Sequence, residues 1–320
     1  AALISGTNRK TRTMGTMATS EGRQRGERDE SQFRLLFERR FGPFFLTQLA
    51  GAFNDNVFKN ALVILVAYNA ATYSGLDSGV LANVAAGLFI LPFVLFSASA
   101  GQFADKYEKA LLIRVIKAAE IAIMAVAAVG LILDNLPLML IALFLMGTQS
   151  AFFGPVKYSL LPQALGPHEL VGGNGLVETG TFVAILGGTL VAGLLVAQPN
   201  GVIYVCALIL IVSVIGFVTS LRIPGLAAAT PDLRLNWNIF SETATNMRFA
   251  IRDHPVFHSM LGVSWFWFYV ALFLSQFPDY SRVWLGGDET VVTLLLALFY
   301  VGVASGSLLC ERLSGHKVEI

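Results

Sequence analysis

From Phe41 onward the chain alternates long apolar runs with short polar breaks. A membrane-crossing helix needs roughly 20 mainly apolar residues. Eight runs are near that length, at 43–68, 79–100, 111–133, 136–151, 175–197, 202–221, 256–277 and 291–309. The fourth extends to Val156 if its break is placed at Lys157. The Leu186-Gly187-Gly188-Thr189 stretch suits close helix–helix approach, because small residues let backbones pack in lipid.

The polar breaks sort by charge. Alternate connections carry Lys106, Lys109, Arg114, Lys157, Arg222, Arg234, Arg248, Arg252, Arg312 and Lys317. The others carry Asp77, Asp134, Asn135, the 198–201 turn and the 279–289 stretch, with Arg282 as the exception. Lys and Arg accumulate on the cytoplasmic side. The expectation is a multi-pass protein of the bacterial inner membrane with its N-terminus in the cytoplasm. Adding or deleting one span would scramble the alternation.

Residues 1–40 differ in kind. They hold nine of the 22 Lys and Arg residues and read as a disordered basic cytoplasmic arm. Met14 and Met17 are candidate starts. No signal peptide is visible, since Arg39 and Arg40 precede a run far longer than a signal core.

Composition agrees: apolar residues are 55% and charged residues 13%, against about a quarter charged in soluble domains. The net charge of +1 says nothing about partners. Cys206 and Cys310 lie within apolar runs and offer neither a disulfide framework nor a metal cluster. His254 and His258 lack acidic or Cys neighbours. There is no P-loop, dinucleotide turn, H-E-x-x-H or G-x-S-x-G, so an ATP-driven pump or a hydrolase on this segment is disfavoured. No cofactor, metal or nucleic-acid partner is expected.

The longest connection, 222–255, contains Pro224, Pro231 and an amphipathic stretch from Trp237 to Phe249, read as an interfacial helix on the cytoplasmic leaflet. The expected organisation is the arm (1–40), a six-helix bundle (41–221), the linker (222–255) and the first two helices of a second bundle (256–320). Six spans, a long inner linker and further spans resemble the joined halves of a major-facilitator transporter. The expected fold is therefore an all-α polytopic membrane protein with a major-facilitator fold, eight of about twelve transmembrane helices being present.

Between spans two and three, Gly101, Asp105, Lys106 and Lys109 resemble the major-facilitator signature, with Glu108 where a second Gly is usual. The Gly permits helix approach, the Asp caps or pairs with a helix end, and the cations hold the loop at the anionic leaflet. These four are the expected gating residues. Gly306, Glu311, Arg312, Gly315, His316 and Lys317 form a fainter echo after span eight.

Span one carries the sharpest chemistry, Asn54-Asp55-Asn56 with Lys59 and Asn60. Asp55 lies roughly 18 Å beyond Pro43 at about 1.5 Å per residue, near mid-bilayer. A carboxylate or ammonium there costs at least about 2.5 kcal/mol. Asp55 and Lys59 share a helix face and can pair. Either Asp55 binds a coupling or substrate cation with Lys59 as its partner, or the two form a buried pair that fixes packing. Asn54 and Asn56 widen the patch. Glu178 either gates and senses a cation or reaches for the headgroups. Glu120 is expected to pair locally with Lys117. Lys157 either anchors the span or attracts a phosphate headgroup. Trp265, Trp267 and Tyr269 belong to a run of aromatics, part facing lipid and part suited to lining an acyl chain.

These patches, with Phe41 to Gln48, Gly154 to Pro162 and Asn174 to Glu178, resemble the lysophospholipid transporter family of the major facilitator superfamily. The resemblance runs from about Arg34 to the C-terminus. It implies a carrier that moves lysophosphatidylethanolamine-like lysophospholipids across the bacterial inner membrane by alternating access. Ser31 to Arg34 also resemble the start of longer proteins that continue into an acyltransferase and an acyl-acyl-carrier-protein ligase. Partners implied are membrane lipids, the lysophospholipid and a possible cation gradient. A drug or metabolite efflux carrier, or a membrane anchor for fused acyl-transfer enzymes, remain the alternatives.

Overall fold

The computed structural model describes residues 32–73, 78–286 and 289–314. Most of the arm (1–31), Asp77, Gly315, His316 and Lys317 lie outside the described residues. A 3-10 turn at Gln32–Phe37 leads into α1 (Gly42–Tyr73), α2 (Ser78–Lys106), α3 (Lys109–Ile132), α4 (Leu136–Ala164), α5 (Leu170–Val196) and α6 (Gly201–Ser220). After a linker come α7 (Ile239–Arg252), α8 (His254–Trp284) and α9 (Glu289–Leu313). The protein is all-α and multi-pass, as expected.

Among the described residues, seven helices are long and apolar enough to cross a membrane. The first predicted span, α1, is not among them, because Asn54, Asp55, Asn56, Lys59 and Asn60 interrupt its apolar sequence. At 32 residues it is nonetheless the longest helix, and it packs against α5, α6 and α2. Its neighbours thus bury what lipid could not tolerate.

The helices start and stop where short polar side chains satisfy free backbone N–H groups. Asn135 accepts from Leu138 N at the start of α4, and Asn238 from Ser241 N at the start of α7. Asp134 takes φ 52° in the tight α3–α4 turn, a conformation that Asp tolerates better than most residues. At Gly188 a Cβ would come 2.6 Å from Phe53 O, so this glycine sets the α1–α5 approach expected from the sequence. Gly175 brings α5 onto α9 in the same way, 2.5 Å from Ser307 O.

The apolar core has two parts. One gathers Val57, Phe58, Leu62, Met124, Met139, Leu143, Met146 and Ile209. The other gathers Phe41, Phe44, Ile113, Leu160, Leu161, Val177 and Ile223. Between them along α1, α3 and α4 lie residues 47–56, 117–120 and 147–155. That interval is polar, and it holds the site. Outward, Val94, Ile132, Leu194 and Ile211 are exposed apolar side chains, the surface a helical bundle presents to lipid.

Candidate functional site

The middle of the bundle is organised around a carboxylate on α3. Glu120 is 1% exposed. Its Oε2 takes the Lys117 ammonium at 2.5 Å and Gln149 Nε2 at 3.2 Å, while Oε1 accepts from Asn54 Nδ2 at 3.2 Å. Three helices therefore meet on one carboxylate. Lys117 reaches it one helical turn away, as the sequence suggested, and also lies 5.0 Å from the Phe153 ring centroid. A buried ion pair survives only where further hydrogen bonds satisfy it, and Asn54 and Gln149 provide them.

Asp55 sits beside this network. Its Oδ2 accepts the Ser150 hydroxyl at 2.6 Å, and its Oδ1 is buried without a partner. The oxygens of Asn54 and Asn56 are buried and unpartnered as well. Buried acceptors without donors are rare in folded proteins and ask for an explanation. The expected Asp55–Lys59 pair is corrected: among the described residues no ion pair joins them. Asp55 turns toward α4, whereas Lys59 places its ammonium 5.5 Å from the centroid of Phe89 on α2. Asn56 and Asn60 turn toward α5, Asn60 donating to Thr189 Oγ1 at 3.0 Å.

Nearer one end of the bundle, Tyr158 donates its hydroxyl to Glu178 Oε1 at 2.5 Å, and Lys157 lies 4.6 Å from the Tyr158 ring centroid. Lys157 and Glu178 are thus brought to one aromatic residue across the α4–α5 contact. On α8, Trp267 stacks on Phe182 of α5 at 6.3 Å, whereas Trp265 pairs with Phe268 and Tyr269 with Phe273. Trp265, Trp267 and Tyr269 are all substantially exposed. The aromatic run is therefore divided, with one face against α5.

The loop between α2 and α3 departs from expectation in two ways. Gly101 faces open space among the described residues, so no neighbour explains the absence of a side chain. Glu108, rather than Asp105, caps α3, accepting from Ala110 N at 2.9 Å and Leu111 N at 2.7 Å. Glu108 can do this because it precedes the helix, whereas Asp105 is still inside α2. Its Oε1 also takes Leu226 N at 2.9 Å. Asp105 O accepts from Thr230 N, and Gln102 bonds Asn236 through both its amide oxygen and its nitrogen. The loop thus fastens the linker to the bundle. Lys106 lies 5.9 Å from the Tyr107 ring centroid, and Lys109 is buried at the start of α3.

Gln149 and Ser150 were missed from the sequence. A span ending at Ala151 or Val156 leaves the polar Thr148-Gln149-Ser150 run close to its edge, but α4 continues to Ala164 and places it mid-helix.

A buried polar layer inside an all-helical, multi-pass membrane bundle defines the class. Within that class, the sequence pattern of the Major Facilitator Superfamily matches residues 44–319. The chain belongs to that superfamily. It is similar to the lysophospholipid transporter LplT of Serratia proteamaculans, 28% identical over 277 residues, covering 85% of this chain and 65% of the relative. It is 29% identical over 267 residues to the lysophospholipid transporter LplT of Yersinia enterocolitica, covering 81% and 61%. Against that of Yersinia pestis it is 29% identical over 279 residues, covering 85% and 64%. The chain spans somewhat less than two-thirds of the length of these relatives.

Proposed function

We propose that the protein is a secondary carrier that moves lysophospholipids of the lysophosphatidylethanolamine type across the bacterial inner membrane by alternating access. The observation that carries this reading is Asp55: a carboxylate held by Ser150 through one oxygen while the other is buried and unpartnered. A zwitterionic headgroup offers an ammonium for Asp55 and a phosphate for a cation; Lys59, on the same helix, and Lys157, nearer one end of the bundle, are the candidates. The relatives' names, as lysophospholipid transporters, support the lysophospholipid class of cargo. Glu178 serves the inner end, linked through Tyr158 to the α4–α5 contact. Asn54 and Asn56 shape the polar layer.

In this reading the N-terminus and the basic loops face the cytoplasm, as charge bias directs. The bundle of residues 41–221 and the helices of 256–320 rock against each other, with the 222–255 linker between them. Gly101, Asp105, Lys106 and Lys109 gate this motion, joined by Glu108 and Gln102, which tether the linker. Trp267 and its neighbours Trp265 and Tyr269 receive the acyl chain. α7 lies on the cytoplasmic leaflet through Phe240, Met247 and Phe249, all exposed.

The test is uptake of radiolabelled lysophosphatidylethanolamine by cells lacking their own lysolipid transporter. Expression of this protein should confer uptake of the single-chain lipid and not of its diacyl counterpart. Equal entry with and without the protein would overturn the assignment.

A further inference from the structure

A second polar feature lies away from the mid-bundle layer, where the segment before α1, the start of α3 and the exit of α6 meet. A pocket of ≈ 620 Å³ there is lined by Arg39, Arg114 and Arg222, with Pro43 and the 221–225 turn. Among the described residues, no Asp or Glu lines it. Arg114 Nη2 donates to Ile223 O at 3.0 Å, which fixes the guanidinium at the wall, while its Nε is buried without a partner. Arg39 and Arg222 are exposed, and no ion pair holds either among the described residues.

The nearest carboxylate, Glu108, lies behind Gly225 and is engaged by the N–H groups of Ala110, Leu111 and Leu226. The three guanidinium groups therefore repel one another within the pocket, and an anion at its centre relieves that repulsion. The planar fork of Arg matches phosphate oxygens two at a time. Close by, Leu111 and Val115 on α3, Val218 on α6 and Leu221 at the pocket wall are exposed apolar side chains. The pocket therefore sits where a bundle surface suited to acyl chains ends and basic side chains begin. Basic pockets between transmembrane helices take lipid headgroups in this way.

We propose that the Arg39–Arg114–Arg222 pocket binds the phosphate group of an anionic ligand, presented by an anionic phospholipid or by soluble phosphate. It is a bound component of the bundle periphery, separate from the cargo path. The proposal requires only that the bundle lies in a bilayer, not that its cargo is a lysolipid.

Native mass spectrometry of the full chain, purified in mild detergent, tests it with phosphatidylglycerol, phosphatidylcholine and inorganic phosphate as probes. Wild-type protein should retain phosphatidylglycerol over phosphatidylcholine. Arg39→Gln/Arg222→Gln should weaken that retention roughly tenfold or more, the equivalent of losing charge-assisted hydrogen bonds. Among the described residues the side chains of these two arginines make no hydrogen bond or ion pair, so the fold should survive, and unchanged unliganded melting confirms it. Arg39→Lys/Arg222→Lys keeps the charge and should retain part of the binding. Arg248→Gln/Arg252→Gln, on α7, should leave retention unchanged. Displacement of the lipid by millimolar inorganic phosphate supports the site with a soluble ligand; retention supports it with a lipid. Equal retention by wild type and the Arg39→Gln/Arg222→Gln variant overturns it.

Discussion

The Lys117 ammonium occupies the space that a side chain at position 51 would fill: a Cβ built on Gly51 of α1 overlaps Lys117 Nζ. This relationship explains how a lysine reaches the centre of an apolar bundle. A glycine on the facing helix clears a channel, and Glu120 and Phe153 wait at its end. The first prediction follows. Gly51→Ala forces Nζ off Glu120 and should destabilise the bundle by about 1–3 kcal/mol, the usual cost of overpacking. Thermal unfolding in detergent, followed by tryptophan fluorescence, measures it. An unchanged midpoint would show that Lys117 is free to move.

Removing one member of the buried pair should be worse than removing both. Lys117→Met leaves Glu120 uncompensated, at about 3–5 kcal/mol. Lys117→Met/Glu120→Gln should recover much of that loss. A double-mutant cycle on the same melts decides the matter, and purely additive losses would refute the coupling.

Glu108 caps α3 and holds Leu226 of the linker at once. Glu108→Ala should cost about 0.5–2 kcal/mol, the usual range for a lost cap. It should also speed limited proteolysis within 226–236. Unaltered cleavage would mean that Gln102 and the Asp105 carbonyl fasten the linker without Glu108.

At one end of α1, Arg40 forms a bidentate pair with Glu169, at 2.7 and 2.5 Å. The Arg40 hydrogen bonds hold the Glu169 carboxyl below the usual carboxylate range, while the same contact raises Arg40. A depressed carboxylate contributes stability above its ordinary value, about 4.3, and loses it as pH falls through the folded value. Both side chains are over a third exposed, so the effect should be at most about 1 kcal/mol. The difference in melting between wild type and Glu169→Gln should be present at pH 7 and fade below about pH 4. A difference that persists at pH 3 would contradict this account.

Much of the fold was legible because the bilayer imposes a length on each apolar run and a charge bias on each connection. Asp55 and Lys59 stood out because ionisable groups are costly inside membranes. Their partners did not. Sequence spacing put Lys59 on the face of Asp55, but spacing cannot report that Ser150, ninety-five residues on, satisfies Asp55 and leaves Lys59 over Phe89. Glu120 and Lys117 were recognisable as a pair, yet their place at the junction of three helices depends on packing. Gln149 and Ser150 were hidden by the placement of a helix end. Glu108 was read as a missing glycine, though its carboxylate supplies the cap.

The central claim is that the buried Asp55 carboxylate receives the cargo headgroup, and Asp55→Asn measures it most directly. Asn keeps the size and can still accept the Ser150 hydroxyl, so melting should stay close to wild type. Uptake of labelled lysophosphatidylethanolamine should then fall to background. Uptake at the wild-type level by a folded Asp55→Asn protein would contradict the account.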